Sequence, residues 1–292
     1  MSCTDFKLGC QLSINDWTWL NRTGVFENDA LREYVAPFPP RDLMYNVSGL
    51  NSEQDFASHG ADFYCALSEA STKALSEYRR ILDFGCGCGR LARMLKGHPH
   101  KVSACDVDAR HVKWVSQNLS YVDVIRTSVS PPLPYRDKEF DAITSISVFT
   151  HLTEKSQDEF LAELRRICAS EGVLFLTVHG ARALERAINE VSIQEMIAVD
   201  GVLFEKARQL FARGEHAFIL QHGHLTASAN TLRRWLSRAM GRCVTNLPFQ
   251  YGITFIPETY IFEHWTQWFE VLDYRRGAIH DFQDIVVLRP RR

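Results

Sequence analysis

The chain has 292 residues, 46% of them hydrophobic and 23% charged, and a formal net charge of −2. That length holds one large domain or one domain with an elaborate insertion, and the near-neutral charge argues against a nucleic-acid partner. No apolar run approaches the ~20 residues of a membrane span and no basic-then-apolar signal opens the chain, so a cytoplasmic protein without a membrane partner is expected.

Residues 1–58 stand outside the pattern that follows and read as a cap. Trp17, Trp19 and Leu20 form an aromatic patch, Pro37, Pro39 and Pro40 exclude a helix around them, and Met44 to Gly49 reads as extended chain. Residues 52–78 show helical spacing of Phe56, Phe63, Ala66, Leu67, Ala70 and Leu75. A first strand is expected at 80–84, ending in Asp83 and Phe84. It runs into Gly85-Cys86-Gly87-Cys88-Gly89 and then a helix at 89–96. Glycine there permits a tight turn and a close approach to a ligand. The G-x-G-x-G spacing differs from the dinucleotide fingerprint, and no Lys-Ser or Lys-Thr follows, which excludes a nucleotide P-loop. A second strand at 101–106 ends at Asp106, an acid suited to accept from both hydroxyls of a ribose. A helix at 109–118 follows.

The reading continues with a strand at 122–126, a proline-stiffened loop at 131–134, a strand at 140–146, a helix at 153–168 and an apolar strand Val173 to Val178. Alternating strands and helices predict a parallel, doubly wound sheet that binds ligands at the carboxyl ends of its strands. About 75 residues then interrupt the alternation. They hold helical stretches within 181–212, an apolar run Ala217 to Leu220 and a strand-like run Gly252 to Ile256. A helix Pro257 to Trp268 and strands Phe269 to Tyr274 and Asp284 to Leu288 close the chain. The eight cysteines lack metal-ligand spacing, so no metal is expected.

Leu82 to Arg90, then Cys105-Asp106-Val107-Asp108, Leu133-Pro134-Tyr135, Phe140 to Ile143 and Ser147 to Leu152 resemble the class I S-adenosylmethionine-dependent methyltransferases over roughly residues 60–178. The resemblance implies a Rossmann-like, seven-stranded α/β sheet and S-adenosylmethionine as cofactor. It implies a core at 59–179, completed by 257–292; the insertion 180–256, where the family passes promptly to its last helix, and the cap at 1–58 are together expected to recognise the acceptor. It places Asp83, Gly85, Cys86, Gly87 and Gly89 at the methionine end, and Asp106 with Val107 at the ribose. Ser128 falls at the adenine, where relatives carry an acid, and Ser147 and Val148 fall at the methyl edge. The expected acceptor is a small molecule or glycan, methylated at a hydroxyl oxygen; a nitrogen acceptor or a noncatalytic cofactor-binding role stays open. A hydroxyl acceptor needs a base, and His151 and His179 are the candidates. His222, His224, His264 and His280 are candidate acceptor-pocket residues. Nothing in the sequence sets the oligomeric state.

Overall fold

Short apolar runs bounded by Gly, Asp and Pro become the strands of a computed structural model that describes residues 8–197, 199, 201–222 and 250–291. Internal contacts divide the chain into two units with a boundary at Thr127/Ser128. The first holds β1 (Ile81–Phe84), β2 (Val102–Asp106) and β3 (Val122–Arg126). These strands pair in parallel, Leu82 opposite Ser103 and Ala104 opposite Val124. The second holds β4 (Phe140–Ser145), β5 (Cys168–Val178), β6 (Ala217–His222), β7 (Tyr251–Phe255), β8 (Phe269–Ile279) and β9 (Gln283–Pro290). The seven-stranded sheet has the order β3-β2-β1-β4-β5-β9-β8, and β9 runs antiparallel to both of its neighbours. This is the Rossmann-like α/β sheet that the sequence implies.

In the first unit, the expected extended chain at Met44 to Gly49 is instead a helix, Arg41–Ser48. Leu43 and Met44 are buried and Val47 packs on the same core, a helical rather than an alternating spacing. Gly49, at φ +70°, caps the helix by donating its N–H to Tyr45 O at 2.8 Å. The expected helix at 89–96 shortens to one 3₁₀ turn, Ala92–Leu95. Gly89 at φ +84° keeps the preceding loop left-handed and Gly97 at φ +90° turns the chain away, leaving no length for an α-helix. Arg93, fully buried, is drawn to the N-terminal segment: its Nε donates to Pro37 O at 2.8 Å and its Nη2 to Ala36 O at 2.6 Å. Trp17 is likewise core, with its indole N–H on Met94 O at 2.9 Å, whereas Trp19 is half exposed. The helix Glu53–Ala70 runs unbroken through residue 58.

In the second unit, β5 begins at Cys168 rather than Val173, because a register irregularity carries pairing from Phe140↔Cys168 to Ala142↔Val173. The expected helix at 257–268 ends at His264 and tightens into a 3₁₀ turn, Trp265–Gln267. The insertion builds three helices, Ala181–Asn189, Val191–Ile197 and Gly201–Ala212, over the antiparallel pair β6–β7. Its core is Ala183, Leu184, Ala187, Ile219, Ile253 and Phe255, among others. His224, Arg233, Arg234, Trp235 and Cys243 lie outside the described residues. Among the described residues no helix is long and apolar enough to cross a membrane, and no group of His, Cys, Asp and Glu is placed to hold a metal.

Candidate active site

The glycine loop of the first unit turns through left-handed backbone three times, with Gly85 at φ +74°, Gly87 at +54° and Gly89 at +84°. Only glycine adopts such angles without strain. At Gly87 there is a second constraint, since a Cβ would sit 3.0 Å from both methyls of Val47. Asp83 is buried at the end of β1. Burial, with Asp106 and Asp83 nearby, pushes the Cys86 thiol well above its usual value, so Cys86 stays a neutral side chain.

Asp106 is held in place from two sides. Its Oδ2 accepts from Gly87 N–H and its Oδ1 from Asp108 N–H, both at 2.8 Å. Each oxygen keeps a further lone pair. Val107 gives its carbonyl to Arg126 Nε at 3.2 Å. Asp108 caps the helix Ala109–Asn118, accepting from Arg110 N–H at 2.8 Å. Burial alone would raise its pKa, but the bonds from Arg110 bring it down to about 2.

His111 is absent from the sequence reading. It is 5% exposed, its Nδ1 lies 3.6 Å from Asp106 Oδ1, and neither ring nitrogen makes a hydrogen bond among the described residues. The available signal was its place in the first turn after the Asp108 cap.

In the second unit, Ser147 follows β4 at φ +59°. Its N–H donates to Thr177 Oγ1 at 2.7 Å and its hydroxyl bonds the Gln283 side-chain amide. Gln283, also unforeseen, thereby fixes the turn from which Val148 leads into the 3₁₀ turn Phe149–His151. Ser128 is exposed.

His151 Nδ1 lies 2.8 Å from Gly252 O. A carbonyl only accepts, so Nδ1 carries the proton and Nε2 keeps its lone pair. The ring stacks on Tyr251 with centroids 4.6 Å apart at 17°. Burial lowers its pKa, which the Gly252 bond offsets only in part, so the imidazole is neutral at neutral pH. His179 lies 6.5 Å away, centroid to centroid, between Phe282 and Phe255. Its backbone bridges to Phe255, its Nδ1 is buried with no hydrogen-bond partner among the described residues, and burial lowers its pKa to about 3. The structure thus brings both candidate histidines together against β7, His151 at Gly252 and His179 at Phe255. His264 and His280 lie on the surface, His264 stacked on Tyr260. Gly252 had a legible signal, since a lone glycine in a strand pattern marks a close backbone approach.

The buried state of His179 has a sign that can be measured. Its folded pKa lies below the unfolded value of about 6.5, so the unfolded chain binds more protons between these values. Stability is full above pH ~6.5 and falls as pH drops toward about 3, by up to ~1.4 kcal/mol per pH unit from this one group. Chemical denaturation of wild type and His179→Asn across that window should give a shallower slope for the variant. Equal slopes would mean that His179 is not buried neutral.

A methyltransferase domain family matches residues 82–176. The cyclopropane-fatty-acyl-phospholipid synthase of Escherichia coli is 27% identical over 164 residues, covering 54% of this chain and 41% of that protein. The malonyl-[acyl-carrier protein] O-methyltransferase of Geobacter sulfurreducens is 34% identical over 109 residues, covering 36% of this chain and 40% of that protein. The chain thus spans about two fifths of the length of these relatives. Among solved structures, the PH0226 protein of Pyrococcus horikoshii superposes with a TM-score of 0.55 at 14% identity, over 85% of this chain and 96% of the other. At that identity the likeness is one of fold.

Proposed function

The chain belongs, through residues 82–176, to the class I S-adenosylmethionine-dependent methyltransferases, and from that premise we propose that it methylates a hydroxyl oxygen of a small-molecule or glycan acceptor, with His151 as the base. When bound, S-adenosylmethionine supplies a methyl group on a sulfonium sulfur. The residues of the first unit fit that cofactor. The Asp106 carboxylate is fixed by two backbone N–H groups yet keeps lone pairs for a ribose diol. The left-handed loop Gly85–Cys86–Gly87–Cys88–Gly89, entered from Asp83, offers backbone to the methionine end, and Val107 extends the ribose side.

The observation that carries the oxygen reading is the fixed tautomer of His151. An alcohol is a weak nucleophile and needs its proton removed as it attacks. His151 Nε2 presents a lone pair on a neutral ring, aimed by the Gly252 carbonyl and the Tyr251 face. The proton passes from the acceptor oxygen to Nε2. An amine that is already nucleophilic would not require this arrangement. His179 supports the base by holding β7 and the ring beside it rather than by taking the proton, since its own ring is enclosed.

An acceptor screen that reads S-adenosylhomocysteine release, followed by mass spectrometry of the product, tests the reading. An O-methyl ether or ester is expected, and a product methylated at nitrogen or carbon refutes the oxygen reading. Asp106→Ala should weaken S-adenosylhomocysteine binding by about 1–3 kcal/mol in calorimetry, and unchanged binding would remove Asp106 from the site.

A further inference from the structure

Arg90 and Arg93 are both buried, and they are satisfied very differently. Arg93 donates to two main-chain carbonyls and leaves Nη1 without a partner among the described residues. Arg90, 9% exposed and directly after Gly89, makes no side-chain hydrogen bond among the described residues, and its Nε is buried without a partner. One face of its guanidinium lies 4.4 Å from the Phe63 ring centroid. The helix bearing Phe63 also packs on the Arg90 main chain, since a Cβ on Gly60 would fall 2.7 Å from Arg90 O. Burial lowers its pKa to about 10, which still leaves a cation at neutral pH. Asp83 attracts it electrostatically.

A buried guanidinium nitrogen without a partner is costly unless an acceptor meets it. With its face on an aromatic ring, its edge remains for a planar anion that takes two parallel N–H bonds. S-adenosylmethionine carries one anionic group, the α-carboxylate of its amino-acid end; the sulfonium and ammonium are cations and the adenosine is neutral. We infer that Arg90 is the binding residue for that carboxylate, forming a charge-assisted pair at the end of the glycine loop. The inference rests on the methyltransferase reading above.

The test compares S-adenosylhomocysteine with methylthioadenosine, which lacks the amino-acid end. Dissociation constants are measured by calorimetry for wild type, Arg90→Gln and Arg90→Lys, with melting curves alongside. Arg90→Gln should weaken S-adenosylhomocysteine about 10- to 100-fold and leave methylthioadenosine within about twofold. Arg90→Lys keeps a point charge and should fall between. Equal weakening of both ligands overturns the inference in favour of a structural cation. Unchanged S-adenosylhomocysteine affinity also overturns it, and is the result expected if Arg90 met a carboxylate on the acceptor. If Arg90→Gln does not fold, Arg90→Lys decides by the same selectivity. A wild-type protein that binds neither ligand overturns the methyltransferase reading itself, and this inference with it.

Discussion

His151→Ala should lower turnover by ~10²–10⁴-fold, the range of a lost general base, while S-adenosylhomocysteine affinity barely changes. The ring is committed at Nδ1 to the Gly252 carbonyl, so the catalytic work falls on Nε2. The pH profile carries the sign. Protonated imidazole cannot accept, so kcat/KM should fall on the acid side as His151 gains a proton. Burial holds that limb below the ordinary imidazole value of about 6.5. The variant should lose the limb. His151→Asn, whose amide can keep the Nδ1 bond to Gly252 but has no basic nitrogen, should be as slow as the alanine variant and as stable as wild type. A folded His151→Asn enzyme at full rate would refute the base and leave positioning alone to drive transfer.

The parts of the molecule written in local sequence were legible. β3 and the helix Ala109–Asn118 have the boundaries that their apolar spacing and the Asp108 cap imply. The alternating glycines imply the left-handed loop, because no other residue adopts those angles in succession without strain. The helix Arg41–Ser48 was obscured by the prolines before it, although Pro40 precedes its first turn and Gly49 caps its end. What sequence could not show is contact made over distance. The runs at 217–220 and 252–256 were visible as apolar segments, but their pairing depends on register, Leu220 opposite Gly252 and Ala217 opposite Phe255. That register places the carbonyl that orients His151. Gln283 and His111 belong to no motif, and Arg90 closes the glycine motif without a role read there; only their burial and their partners, or lack of them, single them out.

Gly252→Ala should damage both the fold and turnover, and it separates the oriented base from a merely nearby one. A Cβ at residue 252 would lie 2.2 Å from Ile219 O and 2.5 Å from the Phe218 ring. The first of these is main chain of the paired strand, which cannot swing aside as a side chain would. β6 and β7 must therefore part or twist, at a cost of ~1–3 kcal/mol typical of forced packing. The same strand gives the Gly252 carbonyl to His151, stacks Tyr251 on that ring and ties Thr254 Oγ1 to Leu152 O at 2.7 Å. A shift of β7 consequently turns the imidazole away from its line of attack, and misplacement by about 1 Å can cost ~10²-fold in rate. Cofactor affinity should hold, since the glycine loop and Asp106 belong to the first unit. Gly201→Ala is the control: among the described residues nothing lies within 4 Å of its Cβ position at the start of the helix Gly201–Ala212. There the lost freedom of the unfolded chain should stabilise the protein by ~0.4–1 kcal/mol with no change in rate. Melting curves, kcat and calorimetry on the two variants read all three quantities. A Gly252→Ala protein that melts lower but turns over at the wild-type rate would show that β7 supports the fold without aiming the base.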